Sequence, residues 1–148
     1  MKRRVINKIV VSVLIVLCFS GMVVSVNAAD QNFEFYLTNT GTSFWTYPNT
    51  SNTKTYANDD GTIRTKLNEA PGYGMLCHLS YKNSSNQYCQ ATENKWFSHS
   101  QLKHPAYLDG QNQTNRPYYV SGRIDNDYYG HYTCNGKFNA DYTNPTFP

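Results

Sequence analysis

Beyond residue 28 the chain carries all 13 of its Tyr, both Trp and six of its seven Phe, against nine Ile, Leu and Val taken together. A globular core is ordinarily built the other way round. Helices draw on Ala, Leu and other straight-chain residues, which are scarce here, whereas Tyr, Phe, Trp and Thr suit a pleated, half-buried surface. The balance therefore predicts an all-β domain whose turns come from the many Asn, Ser, Thr and Gly residues. With so few aliphatic side chains, Trp and Phe are expected to build the core.

Alternation places the strands. Phe33, Phe35 and Leu37 share one face of a first strand, and Glu34, Tyr36 and Thr38 the other. Residues 43–47 read as an aromatic strand ended by Pro48. An Asp-Gly turn at residues 58–61 is expected to join a strand at 54–57 to one at 62–67. Residues 74–81 set Met75, Cys77, Leu79 and Tyr81 against Leu76 and His78, the pattern of a central strand. Asn83-Ser84-Ser85-Asn86 turns it back into residues 87–92. From 93 to 115 the pattern supports a short piece at 95–98, a helical turn near 98–102 and an edge strand at 103–108. Residues 118–124 form a strand interrupted by Gly122, and Asp125-Asn126-Asp127 turns it into 128–134. Asn135-Gly136 then reads as a two-residue hairpin turn pairing Cys134 with Lys137 and Thr133 with Phe138, closing a three-stranded meander. About eight short strands at near-regular spacing imply a single antiparallel β-sandwich, with an open barrel second.

The N-terminal segment is of another kind. Lys2, Arg3, Arg4 and Lys8 precede an uncharged apolar run over residues 9–26, and Val26-Asn27-Ala28 has the small residues of an export cleavage site. A cleavable signal peptide at 1–28 and a secreted domain at 29–148 are expected; the alternative is a retained anchor, since such a run just reaches membrane-spanning length. Cys18 follows Leu17 rather than a small residue, against lipidation. The strong basic start and long apolar stretch have the style of Gram-positive export. The whole chain has a formal charge of +3, but its first 28 residues hold four cations and no acid, which leaves −1 on the remainder. That weakens the case for a basic nucleic-acid surface or a polybasic membrane patch, and neither partner is expected.

Candidate chemistry is sparse. Of the cysteines beyond the signal segment, Cys77 and Cys89 flank the turn at 83–86 and are the expected bridge in an oxidising exterior; pairing of either with Cys134, or three reduced thiols, are the alternatives. His99 and His104 are five apart, which suits neither one helix face nor one strand face, so no metal site is expected. His78 and His131 read as ordinary strand residues. Residues 125–136 begin like a calcium loop, but Tyr129 and Gly136 stand where oxygen ligands belong. No phosphate loop or nucleophile elbow occurs. Glu34, Glu69 and Glu93 lie in separate segments, so they define no glycosidase pair. No cofactor is implied.

What the rings can do is bind. Exposed Tyr and Trp give large contact area at low entropic cost and suit sugars, peptides or a partner protein. Trp45 and Trp96 are candidates, as are Tyr119 and Tyr129 from the doublets at 118–119 and 128–129, because adjacent strand residues face opposite ways. The start Asp30-Gln31-Asn32-Phe33-Glu34-Phe35, the polar aromatic body and Tyr119-Val120-Ser121-Gly122-Arg123 before an acidic turn resemble a family of small secreted Firmicute proteins classed as a domain of unknown function. The chain is more weakly similar to bacteriocin-like secreted β-proteins. The resemblance implies no catalytic or binding residues. The expected function is a non-enzymatic surface-interaction or bacteriocin-like module acting on the cell envelope or a protein partner. The alternatives are an envelope hydrolase using scattered His, Asp and Glu, and a structural secreted protein without a ligand.

Overall fold

The computed structural model describes residues 29–39, 45–67, 74–98, 100–124 and 130–146. Residues 1–28, where a signal peptide is expected, lie outside them, as do Tyr129 and His99. Nine strands run in the order β1 (Gln31–Asn39), β2 (Ser51–Thr53), β3 (Thr62–Leu67), β4 (Met75–Lys82), β5 (Tyr88–Gln90), β6 (Lys95–Phe97), β7 (Leu102–Lys103), β8 (Pro117–Ile124) and β9 (Gly130–Asn139). They form two antiparallel sheets. One has the order β1-β9-β3-β7; the other has β2-β8-β4-β5, with β6 also paired to β4. No helix occurs among the described residues.

The two inner faces make one core. Phe33, Phe35 and Leu37 of β1, Ile63 of β3 and Cys134 and Phe138 of β9 meet Met75, Cys77 and Leu79 of β4, Phe97 of β6 and Val120 and Ile124 of β8. The core rings are Phe, and neither Trp joins them. Phe33 and Phe35 lie 4.9 Å apart between centroids. Gly122 is bare because Phe35 occupies the space over it: a Cβ there would lie 2.7 Å from the ring. Tyr118 is a fully buried ring with a polar end, and its hydroxyl donates to the Gln111 carbonyl and accepts from the Gln113 amide.

β4 is the central strand expected from its alternation, and the turn at 83–86 forms as read. The Asn83 side-chain oxygen accepts from the Ser85 and Gln87 amides, and Asn86 takes the left-handed conformation that Asn tolerates. Other expectations fail for identifiable reasons.

Asn135-Gly136 is no turn, since β9 runs straight through it between β1 and β3. Glycine is needed there for close approach: a Cβ on Gly136 would lie 2.4 Å from the Phe33 ring and 2.2 Å from the Arg64 carbonyl. β8 and β9 belong to different sheets, so the meander is replaced by a crossover. Residues 54–57 form no strand. The Lys54 ammonium instead turns inward and donates to the carbonyls of Asp59 and Ala140 and to the Asp141 carboxylate. β3 pairs with β9 and β7 in place of the expected hairpin partner. The edge strand at 103–108 shrinks to Leu102–Lys103 and a single bridge from Tyr107 to Thr92.

The expected Cys77–Cys89 bridge is absent, and Cys77, Cys89 and Cys134 are all free thiols. The hairpin register explains this. Cys89 pairs with Tyr81, four residues along β4 from Cys77, which at strand rise leaves about 13 Å between the two positions.

Candidate binding face

Strand register decides what the five-stranded sheet shows to the outside. Met75, Cys77 and Leu79 point inward, so Leu76, His78, Ser80 and Lys82 point out. Residues opposite one another share a face, which adds Trp96 beside Leu76, Gln90 beside Ser80 and Tyr88 beside Lys82. From β8, Arg123, Ser121 and Tyr119 face outward through their pairing with Leu76, His78 and Ser80. The Thr46–Gly122 bridge lays residues 45–47 along β8, so Trp45 and Tyr47 lean over the same surface.

Rings roof this sheet where a second layer would otherwise cover it. Trp45 lies over His78 at 4.2 Å between centroids, with the Arg123 guanidinium 5.1 Å from the indole. Tyr47 stacks on Tyr88 at 4.2 Å and 9°, and Tyr119 meets Tyr88 edge-on at 5.3 Å. The Lys82 ammonium sits 4.8 Å and 5.3 Å from the Tyr88 and Tyr119 rings, a cation held by two π faces. Burial and the nearby Cys89 and Tyr88 raise the Tyr47 hydroxyl above its ordinary pKa.

Beneath the roof runs a polar chain. His78 Nδ1 is 2.9 Å from Asn94 Oδ1, His78 Nε2 is 2.9 Å from Ser80 Oγ, and Ser80 Oγ is 2.6 Å from Ser121 Oγ. An amide oxygen at Nδ1 places the ring proton there and leaves Nε2 to accept from Ser80, which in turn accepts from Ser121. Burial drives the His78 pKa down to about 4, the Asn94 contact opposes it, and the Arg123 charge adds to it. The imidazole is therefore neutral at ordinary pH, and His78, Ser80 and Ser121 are all buried.

Three of the four candidate binding residues, Trp45, Trp96 and Tyr119, share this face, and the fourth, Tyr129, is outside the described residues. Trp96 is the most open of them at 44% exposure, its indole packed so closely on Gly74 that any Cβ there would meet it. The Tyr118-Tyr119 doublet divides as expected, one ring in and one out. Sequence reasoning missed Tyr88 and the chain through Asn94, Ser80 and Ser121. Alternation in β4 puts His78, Ser80 and Lys82 on one face, but nothing local shows that Ser121 and Asn94 meet them from other strands.

Elsewhere, His104 stacks on Tyr142 at 4.0 Å and meets Thr62 Oγ1 at 3.3 Å. Among the described residues no group of three His, Cys, Asp or Glu could hold a metal. In comparisons with known proteins, the chain matches no family model, no curated protein and no solved structure.

Proposed function

We propose that this chain is an exported, non-enzymatic binding module that engages an acidic partner at the cell envelope through the outer face of its five-stranded sheet. The single observation that carries the reading is the gathering of Trp45, Tyr47, Tyr88, Trp96 and Tyr119 on one face together with Lys82 and Arg123. Arg123 Nε is buried without a hydrogen-bond partner, so a ligand carboxylate or phosphate that displaces the Trp45 ring beside it would supply the acceptor it lacks. Export by the segment 1–28 and membership of the small secreted Firmicute family belong to the same reading. The test is co-sedimentation of the mature chain with purified Gram-positive cell walls, before and after their anionic polymers are stripped with acid. Binding that Trp96→Ala and Arg123→Gln each weaken, and that stripping reduces, is expected. A chain that stays in the supernatant with intact walls, or variants that sediment like the parent, would overturn it.

One observation favours a second reading. The Ser121–Ser80–His78–Asn94 chain has the hydrogen-bond order of a nucleophile, its base and an orienting group, which is the arrangement an envelope hydrolase would use. It lies under Trp45, so the rings would have to open for a substrate to reach it. Covalent labelling of Ser80 or Ser121 by a fluorophosphonate would support the hydrolase, and its absence in the folded protein would remove it.

A further inference from the structure

The opposite outer face, on the four-stranded sheet, has a different chemistry. Asn32 of β1 is paired with Lys137 of β9, and Glu34 of β1 with Asn135 of β9, which is paired in turn with Lys66 of β3. The alternation that buries Phe33, Gly136 and Phe138 turns these five side chains outward. Together with residues 48–50 they line an open depression of about 810 Å³, within the range of small-ligand sites. Lys137 donates to the Thr146 carbonyl at 2.7 Å, which brings the C-terminal segment to the margin.

The lining selects among ligand chemistries. β9, at its centre, has both edges paired, so a peptide cannot add to it as a further strand. Over β9 contact must therefore come from side chains. Three of these are carboxamides, Asn32, Asn49 and Asn135. A carboxamide both donates and accepts hydrogen bonds, as a sugar hydroxyl does. Asn135 Oδ1 is buried with no hydrogen-bond partner, and a turn about its broad last torsion would offer it to the depression. That oxygen needs a donor. A simple anion would be drawn by Lys66 and Lys137 but would face the Glu34 carboxylate and bring no donor for Asn135, whereas a hydroxyl-rich ligand brings donors for Asn135 and Glu34 and acceptors for the amides and both ammonium groups.

We propose that this depression is a second binding site, separate from the aromatic face, that takes a short neutral oligosaccharide. The site stands on its own geometry and does not depend on the acidic partner proposed for the other sheet.

Two-dimensional amide NMR titration of the mature chain tests it, with cellotetraose, chitotetraose and maltotetraose as probes and tetra-alanine and inorganic phosphate as comparisons. Saturable shifts at residues 32–34, 49–50 and 135–137 with at least one tetrasaccharide are expected. Asn135→Leu should weaken that binding by about tenfold or more, Glu34→Gln by a smaller factor, and Trp96→Ala should leave it unchanged. Dispersed amide spectra certify that each variant is folded, and Glu34 is exposed, so its substitution keeps the test open if Asn135→Leu unfolds. Three results would overturn the site: no tetrasaccharide moving these signals, shifts confined to the aromatic face, or phosphate or tetra-alanine as the sole binder. Folded Asn135→Leu and Glu34→Gln chains that bind like the parent would do so as well.

Discussion

His78 shows how one buried polar group ties sequence to behaviour. Its ring is 3% exposed and neutral, with one nitrogen donating to Asn94 and the other accepting from Ser80. The folded pKa of about 4 lies below the ordinary histidine value of 6.5, so between those values the unfolded chain binds the extra proton and the folded one does not. Stability from His78 is therefore full above pH 6.5, falls as pH drops toward 4 and levels off below it. The total loss is about 3 kcal/mol. Urea midpoints from pH 7 to pH 4 should show that decline, and His78→Gln should flatten it; an equal slope in both chains would refute the assignment. Lys54 is the matching case for a buried charge. Its ammonium finds the three acceptors it can use, with the Tyr107 ring 4.5 Å away, and both it and Asp141 are almost wholly buried. Burial pulls its pKa down while Asp141 pulls it up. Lys54→Met strands the Asp141 carboxylate with only the Thr55 and Tyr56 amides as donors and should cost about 3–5 kcal/mol, read as a lower urea midpoint at unchanged slope.

At the scale of elements, the strands that alternate cleanly were legible and the turns were legible only where a side chain closes them. β1, β3 and β4 follow from their own residues, and Asn83 makes its turn by its own amide oxygen. Asn135-Gly136 carries the stronger turn signature and is a strand interior, because the same glycine that permits a turn also permits a close crossing of the Phe33 ring. Local pattern cannot separate those two uses; the partner strand decides. The expected hairpin at 58–61 failed similarly, since the buried anchor of Lys54 comes from Asp141, 87 residues away. The binding face divides in the same manner: Trp45, Trp96 and Tyr119 were legible as single rings, but their common face needs the register between β4, β6 and β8. Gly136→Ala tests the reading of β9. At a true turn the cost would be left-handed backbone strain that is indifferent to Phe33, whereas here the new methyl must displace Phe33 or the Arg64 carbonyl, at about 1–3 kcal/mol or more, and adding Phe33→Leu should recover part of the loss. Thermal unfolding distinguishes the two.

For the molecule as a whole, the excess of rings resolves into a division of labour between the two sides of one sheet. Phe33, Phe35, Phe97 and Phe138 fill the interior that nine aliphatic residues could not, while Trp45, Tyr47, Tyr88 and Tyr119 cover a polar layer outside it. Such a core accounts for a domain of this size holding together without a bridge, and the cysteines lie where packing put them. Cys77 and Cys134 belong to the core. Burial raises the Cys77 thiol well above its ordinary pKa and pushes Cys134 up to about 12. Neither presents a thiolate to a reagent in water, because it is the thiolate that reacts. Cys89, on the short strand β5 beside the turn at 83–86, is only half-buried. The native mature chain should therefore take up iodoacetamide at Cys89 alone, with Cys77 and Cys134 modified only at the rate of global unfolding, and reductant should leave its melting temperature unchanged. Peptide mapping after a timed pulse reads the first, and calorimetry with and without reductant the second. A reductant-sensitive melting point would mean that two of these thiols pair in the folded protein, and prompt labelling of Cys77 or Cys134 would mean that the sheets open far more readily than a sealed Phe core allows.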